Sequence, residues 1–172
     1  MTVMQIEFES LTTPESLQLI RDVAAEVWPQ TFADILSPEQ ILYMMDMMYA
    51  PEVMEKELAG NMHFELLKID GAPVGYAVYS AYNNSSVTAK LHKLYLKHAF
   101  HGMNIGQQML DHVQEQCRKL GFDEVVLAVN KQNSKAIKAY QRNGFTIYDS
   151  VCNPIGNGFF MDDYLMKKAI TG

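Results

Sequence analysis

Between Lys90 and Leu110, KLHKLYLKHAFHGMNIGQQML, three lysines and three histidines gather without one carboxylate. The whole chain carries a net charge of −6, so this basic run stands against the overall balance. Leu94, Tyr95 and Leu96 are strand formers, Gly102-Met103-Asn104-Ile105-Gly106 can turn sharply, and Ile105, Met109, His112 and Val113 recur at helical spacing. A strand that enters such a loop and opens a helix presents unpaired backbone N–H groups and a partial positive charge, which suit a phosphate or diphosphate. Gly permits positive φ and Asn is the next best residue for it, so the loop can wrap an anion closely.

Missing residues narrow the choice of anion. A nucleoside-triphosphate loop needs Gly-Lys-Ser/Thr at its end, and here Gly106 is followed by Gln107-Gln108. A dinucleotide fold needs Gly-x-Gly-x-x-Gly and an acid about 20 residues on, and Gly102 and Gly106 do not fit that spacing. A second segment, Asn130-Lys131-Gln132-Asn133-Ser134-Lys135-Ala136-Ile137-Lys138-Ala139-Tyr140-Gln141-Arg142-Asn143-Gly144-Phe145, sets a helix cap at Asn133, a tyrosine two turns along the same face, and a glycine stop before Phe145.

Together the two segments resemble the signatures of the GNAT superfamily of N-acetyltransferases. The second matches Asn-x-x-Asn-x-x-Ala-x-x-x-Tyr-x-x-x-Gly-Phe at each stated position. The first departs from the family's Arg/Gln-x-x-Gly-x-Gly/Ala loop, with His101 in the Arg/Gln place and Asn104 in that of the middle Gly. The resemblance spans roughly residues 64–168. It implies an acetyl-CoA-dependent N-acetyltransferase with Tyr140 as general acid to the leaving thiolate. It also implies cofactor contacts from the main chain of Leu94, Tyr95 and Leu96, from the loop His101, Gly102, Met103, Asn104, Ile105, Gly106 and Gln107, and from Asn133. The Leu96 N–H is the expected oxyanion donor.

His92 takes the strand position at which some polyamine-acetylating members of the family resemble one another in placing a Glu. Histidine titrates near neutrality, so it is the candidate base, and an ascending pH limb near neutrality is expected. A metal held by His92, His98 and His101 is not expected, because no Cys or carboxylate stands at ligand spacing. The segment 156–166, GNGFFMDDYLM, and the overall layout look similar to spermidine/spermine acetyltransferases of the bacterial PaiA type, which makes a polyamine-like amine the first acceptor. The alternatives are a protein N-terminus or an aminoglycoside-like amine as acceptor, or a non-catalytic module that only holds CoA.

The remaining elements must position these groups. Ile6 and Phe8 alternate into a first strand. Thr13-Pro14 opens a helix that Pro29 is expected to stop, and Ser37-Pro38 opens a second with capping-box spacing. A short third helix starts at Pro51, Asp70-Gly71 makes a hairpin, and two closing strands flank a Pro154/Gly156/Gly158 turn. The order β-ααα-βββ-α-β-α-ββ predicts an α/β GNAT fold, a mixed six- to seven-stranded sheet flanked by helices on both faces. In this family the Met-rich second helix would border the acceptor, with Trp28, Tyr43 and Tyr49 to stack on a cationic amine and Asp46 to pair with it. That helix also offers a pliable face for a homodimer.

At 172 residues the chain reads as one domain, 1–172. Residues 1–89 hold 3 Lys/Arg and 13 Asp/Glu; residues 90–172 hold 11 and 7. An acidic half suits a cationic acceptor and a basic half an anionic cofactor. A pI of 5.3 without a basic aromatic face argues against nucleic acid. No apolar run reaches membrane length, the N-terminus has no basic signal region, and Cys117 and Cys152 stand apart from any CxxC pair. A cytoplasmic protein is expected.

Overall fold

The computed structural model describes residues 3–171. Strands β1 (Ile6–Leu11), β2 (His63–Ile69), β3 (Ala72–Ala81), β4 (Thr88–Leu96), β5 (Glu124–Asn130), β6 (Thr146–Gly156) and β7 (Phe159–Ala169) form one sheet in the order β1-β2-β3-β4-β5-β7-β6. Only β4 and β5 run parallel. Helices α1 (Gln18–Phe32), α2 (Pro38–Tyr49) and α3 (Pro51–Ala59) cover one face, around Trp28, Met54, Leu66 and Tyr76. Helices α4 (Ile105–Lys119) and α5 (Ser134–Arg142) cover the other, around Leu110, Val113, Leu127 and Phe145. The expected mixed sheet with helices on both faces is therefore present, at seven strands. Among the described residues no helix is long and apolar enough to cross a membrane.

Local chemistry explains most boundaries. Ser37 Oγ accepts the Gln40 N–H at 3.1 Å, capping α2, and Pro38 follows at its first position. Asp70 and Gly71 both have positive φ, as the two-residue turn between β2 and β3 requires.

Two expectations give way. Pro29 does not end α1, which runs on to Phe32, and the Ala33 N–H bonds the Pro29 carbonyl at 3.0 Å. Pro29 is exposed, so its missing hydrogen bond falls on the wet side while Trp28 and Phe32 stay buried. The last hairpin turns at Asn157-Gly158 alone, both at positive φ, with Pro154 and Gly156 inside β6 at a register shift.

The parallel pairing of β4 with β5 is short. It runs from Thr88 to Leu91 opposite Glu124 to Leu127, and β5 then pairs only with β7. From His92 to Leu96 the β5 side of β4 has no strand partner among the described residues. The sheet splits there, and the site lies in the split.

Candidate active site

A cleft of about 830 Å³ opens between the diverging strands. Its lining includes β4 from Lys90 to Leu96, the loop residues His101, Gly102, Asn104, Gly106 and Gln107, and Asn133, Lys135 and Tyr140 from α5. Trp28 of α1, Met44, Met47 and Met48 of α2, Glu57 of α3 and Met161 and Asp163 of β7 line it as well. One edge is thus an anion cradle and the other an apolar wall with embedded charges.

The cradle has the predicted conformation. Gly102 has φ 81° and Asn104, the residue before α4, sits in the left-handed region at φ 63°, so Asn serves where the family's loop has Gly. Ile105 is 2 % exposed and anchors the helix start in the core, while Met103 is exposed; neither lines the cleft. Gln107 lines it, but its side chain is spent on α5, donating to the Ala139 carbonyl at 3.0 Å and accepting from Asn143 at 2.9 Å. Asn133 Oδ1 caps α5 through the Ala136 N–H at 3.3 Å. A Cβ built on Gly106 meets nothing within 4 Å. The space beside this glycine belongs to no protein atom, as a main-chain cradle for a ligand requires.

Main-chain alternation decides which β4 groups face the gap. The Lys97 N–H bonds the Val74 carbonyl at 2.8 Å, so the next pair, Gly75 and Leu96, is a non-bonded one, and so is Ala77 with Leu94. The N–H and C=O of Leu94 and Leu96 therefore point away from β3 toward the free edge. Tyr95 is corrected on this point: its main chain faces β3, and its carbonyl lies 2.7 Å from where a Gly75 Cβ would stand. His101 Nε2 takes the Leu96 carbonyl at 2.8 Å, which leaves the Leu96 N–H for a ligand.

Tyr140 is half-buried on the α5 face, edge-on to Phe145 at 5.9 Å. The Phe145 N–H returns to the Tyr140 carbonyl at 3.0 Å and Gly144 has φ 102°, so the glycine stop holds the tyrosine on its turn. No described residue hydrogen-bonds its hydroxyl, and burial pushes the phenol up to about 12. It keeps its proton at any working pH.

His92 sits at a feature that strand periodicity did not disclose. Tyr79 pairs with Leu91 and Val78 with Lys93, so His92 is an extra residue, a β-bulge. Ser80 donates to the Ala81 carbonyl at 3.0 Å and lies 2.7 Å from His92 Nε2, which accordingly donates to Ser80 and leaves Nδ1 as the ring's acceptor. Burial, then Lys90 and Lys93, lower this imidazole to about 4. The limb expected near neutrality is corrected: His92 is neutral there. Between pH 6 and 9 the turnover profile should keep its shape in His92→Ala. A limb near neutrality that disappears with His92 would return the titrating base to it.

Of the four proposed acceptor contacts, only Trp28 lines the cleft. Tyr49 is 4 % exposed, accepting from Trp28 Nε1 at 2.9 Å and meeting the Tyr76 hydroxyl at 2.6 Å. Its polar end is satisfied inside the core, so it cannot stack on an acceptor. The Tyr43 hydroxyl donates to the Ile155 carbonyl at 2.6 Å and its ring meets Phe159 at 5.4 Å, tying α2 to the last hairpin. Asp46 is exposed and away from the cleft.

Sequence spacing also missed three charged groups that tertiary structure brings together. Lys93 is 8 % exposed, over the Tyr49 ring at 4.7 Å, and burial lowers its ammonium. Asp163 is 6 % exposed, and burial and then Asp162 raise its carboxyl. Glu57 Oε1 is buried without a hydrogen-bond partner, and burial raises that carboxyl against the pull of Lys93. Among the described residues no group of three or more potential metal ligands converges.

Residues 20–145 match the model of the acetyltransferase (GNAT) family. The chain belongs to that family. It is 29 % identical over 164 residues to a spermidine N(1)-acetyltransferase of Thermoplasma acidophilum, covering 92 % of this chain and 97 % of that one. Its fold is similar to the crystal structure of a PaiA N-acetyltransferase from T. acidophilum in complex with coenzyme A, with TM-score 0.81, 28 % identity, and 96 % and 99 % of the two chains covered. The ribosomal-protein-S18-alanine N-acetyltransferase of Escherichia coli shares the fold, with TM-score 0.72 at 16 % identity over 98 % and 96 % of the chains. The chain is thus an acetyl-CoA-dependent N-acetyltransferase. The cradle's open glycine, the exposed helix start and the free edge of β4 fit that co-substrate.

Proposed function

We propose that the acceptor is a small primary amine and that a polyamine-like diamine suits the site best. The observation that carries this is Glu57 with Asp163. Two carboxylates line the acceptor side, Asp163 buried and Glu57 half-buried with its Oε1 out of solvent; neither is in an ion pair among the described residues, and that Glu57 oxygen lacks any partner. A buried carboxylate without a partner is costly, and an arriving ammonium removes that cost. The methionines of α2 and Met161 offer an adaptable surface to the methylenes between the two nitrogens. Lys90 and Lys93 oppose a cation, but each is drawn toward a tyrosine ring, Tyr82 at 5.8 Å and Tyr49 at 4.7 Å. The name of the spermidine-acetylating relative supports the same class.

Acetyl-CoA supplies the acetyl group as a thioester. The Leu96 N–H donates to the thioester oxygen as negative charge develops on it. The acceptor reaches the site as an ammonium of pKa about 10.4, of which about 1 in 10³ is free amine at neutral pH. A His92 titrating at about 4 cannot strip that ammonium; the transfer is uphill by about a millionfold. The ammonium proton leaves to solvent. The Nδ1 of His92 serves the later proton, which becomes acidic once the C–N bond forms. Tyr140 donates to the sulfur as the C–S bond breaks, and the phenolate recovers a proton from the acceptor nitrogen through His92 and water. Products are the N-acetyl amine, the CoA thiol and one proton.

The acceptor class is tested by comparing 1,4-diaminobutane with butylamine, which differ by one ammonium. The diamine should show about tenfold higher kcat/KM, as expected for one charge-assisted contact. Equal kcat/KM would remove the second carboxylate from recognition and with it the preference for polyamines.

A further inference from the structure

The family's loop pattern opens on Arg or Gln, and this chain has His101 there. Neutral imidazole brings no charge to the diphosphate of coenzyme A, so a charged side-chain donor to it would come from another element. The contacts of His101 locate it. Nε2 lies 2.8 Å from the Leu96 carbonyl and Nδ1 lies 2.6 Å from Lys135 Nζ. A carbonyl only accepts and an ammonium only donates, so the ring is neutral, with its hydrogen on Nε2 and its lone pair toward Lys135.

The imidazole thereby links the end of β4 to the first turn of α5, two elements that both line the cleft. Its far side is braced. The His98 ring stacks on it at 4.5 Å, and His98 Nε2 meets Thr31 Oγ1 of α1 at 3.2 Å. Lys135 itself is exposed, lines the cleft, and pairs with no carboxylate among the described residues. Two of its three N–H donors remain after the bond to His101. They sit beside the cradle of Gly102, Asn104 and Gly106 and the open start of α4.

We propose that Lys135, aimed by neutral His101, is the side chain that binds the diphosphate of coenzyme A, supplying from α5 the donor that the family's loop carries at its first position. His101 is then a positioning residue rather than a contact. The inference rests on the use of acetyl-CoA and is independent of the acceptor.

Calorimetric titration of the intact protein with CoA and with dephospho-CoA, which keeps the diphosphate and lacks the 3′-phosphate, tests it without turnover. Lys135→Met keeps the stem and loses the charge. It should raise Kd about tenfold for both ligands, as loss of a charge-assisted hydrogen bond predicts. Lys138→Met, exposed on the same helix and outside the cleft, should leave both unchanged. His101→Phe keeps the ring against His98 but loses both bonds. It should cost less than Lys135→Met, and nothing further in the Lys135→Met background, since the two act through one contact. An undiminished affinity in Lys135→Met overturns the proposal. So does a loss seen with CoA alone, which assigns Lys135 to the 3′-phosphate, or an equal loss in Lys138→Met, which assigns the effect to general charge.

Discussion

In Tyr140→Phe, single-turnover acetylation should fall about 10²–10⁴-fold, the usual worth of a positioned general acid, while stability and CoA affinity hardly move. The hydroxyl has no hydrogen-bond partner among the described residues, so its removal orphans no other group. The ring keeps its contact with Phe145 and its place on α5. A phenol held at about 12 is fully protonated at neutral pH, so it is present as a donor when the C–S bond breaks. Desolvation in the cleft raises the basicity of the departing thiolate and strengthens its hydrogen bond from that phenol. Steady-state rates limited by product release would mask the effect, so a single turnover with enzyme in excess is the appropriate reading. Acetylation at the wild-type rate would make Tyr140 a packing residue and remove it from the mechanism.

Gly106→Val should weaken CoA binding tenfold or more, about 1.4 kcal/mol or above. The substitution adds carbon to a place where the protein has none, since a Cβ there meets nothing within 4 Å. Its backbone is not in the left-handed region, so valine adopts it without strain. Within α4 the exchange costs no helix propensity, since glycine disfavours a helix more than valine does. Any loss of affinity therefore falls on the ligand lying against the glycine. Calorimetry with CoA at unchanged folding stability separates the two, and an unaltered Kd would place the diphosphate elsewhere.

Much of the site was readable because its rules are local. The left-handed Asn104, the Asn133 cap and the Gly144 stop each follow from the conformations their own residues favour, and each lies where spacing predicts. The bulge at His92 was not readable. One extra residue in β4 is visible only in the register with β3, and it turns His92 and Lys93, adjacent in sequence, toward the same cleft. Glu57 and Asp163 are separated by more than a hundred residues and meet the cleft from α3 and β7, so no window of sequence contains them both.

Tyr49 misled for a related reason. Its hydroxyl could greet a ligand, but its hydrogen bonds close on Trp28 and Tyr76 inside the core. Pro29 misled because a proline stops a helix only where burial does not outweigh one missing solvent-side hydrogen bond.

The central claim, acetyl transfer from acetyl-CoA to an amine nitrogen in this cleft, is tested most directly by thiol release with the wild-type protein. Acetyl-CoA is supplied with and without spermidine, and the acetylated product is weighed by mass spectrometry. Thiol release should depend on the amine, saturate with it, and be matched by one acetyl group gained on the amine per thiol formed. Thiol release at the same rate with no amine, or no release across a panel of primary amines by a protein that binds CoA, would contradict it and leave a cleft that holds the co-substrate without transferring its acetyl group.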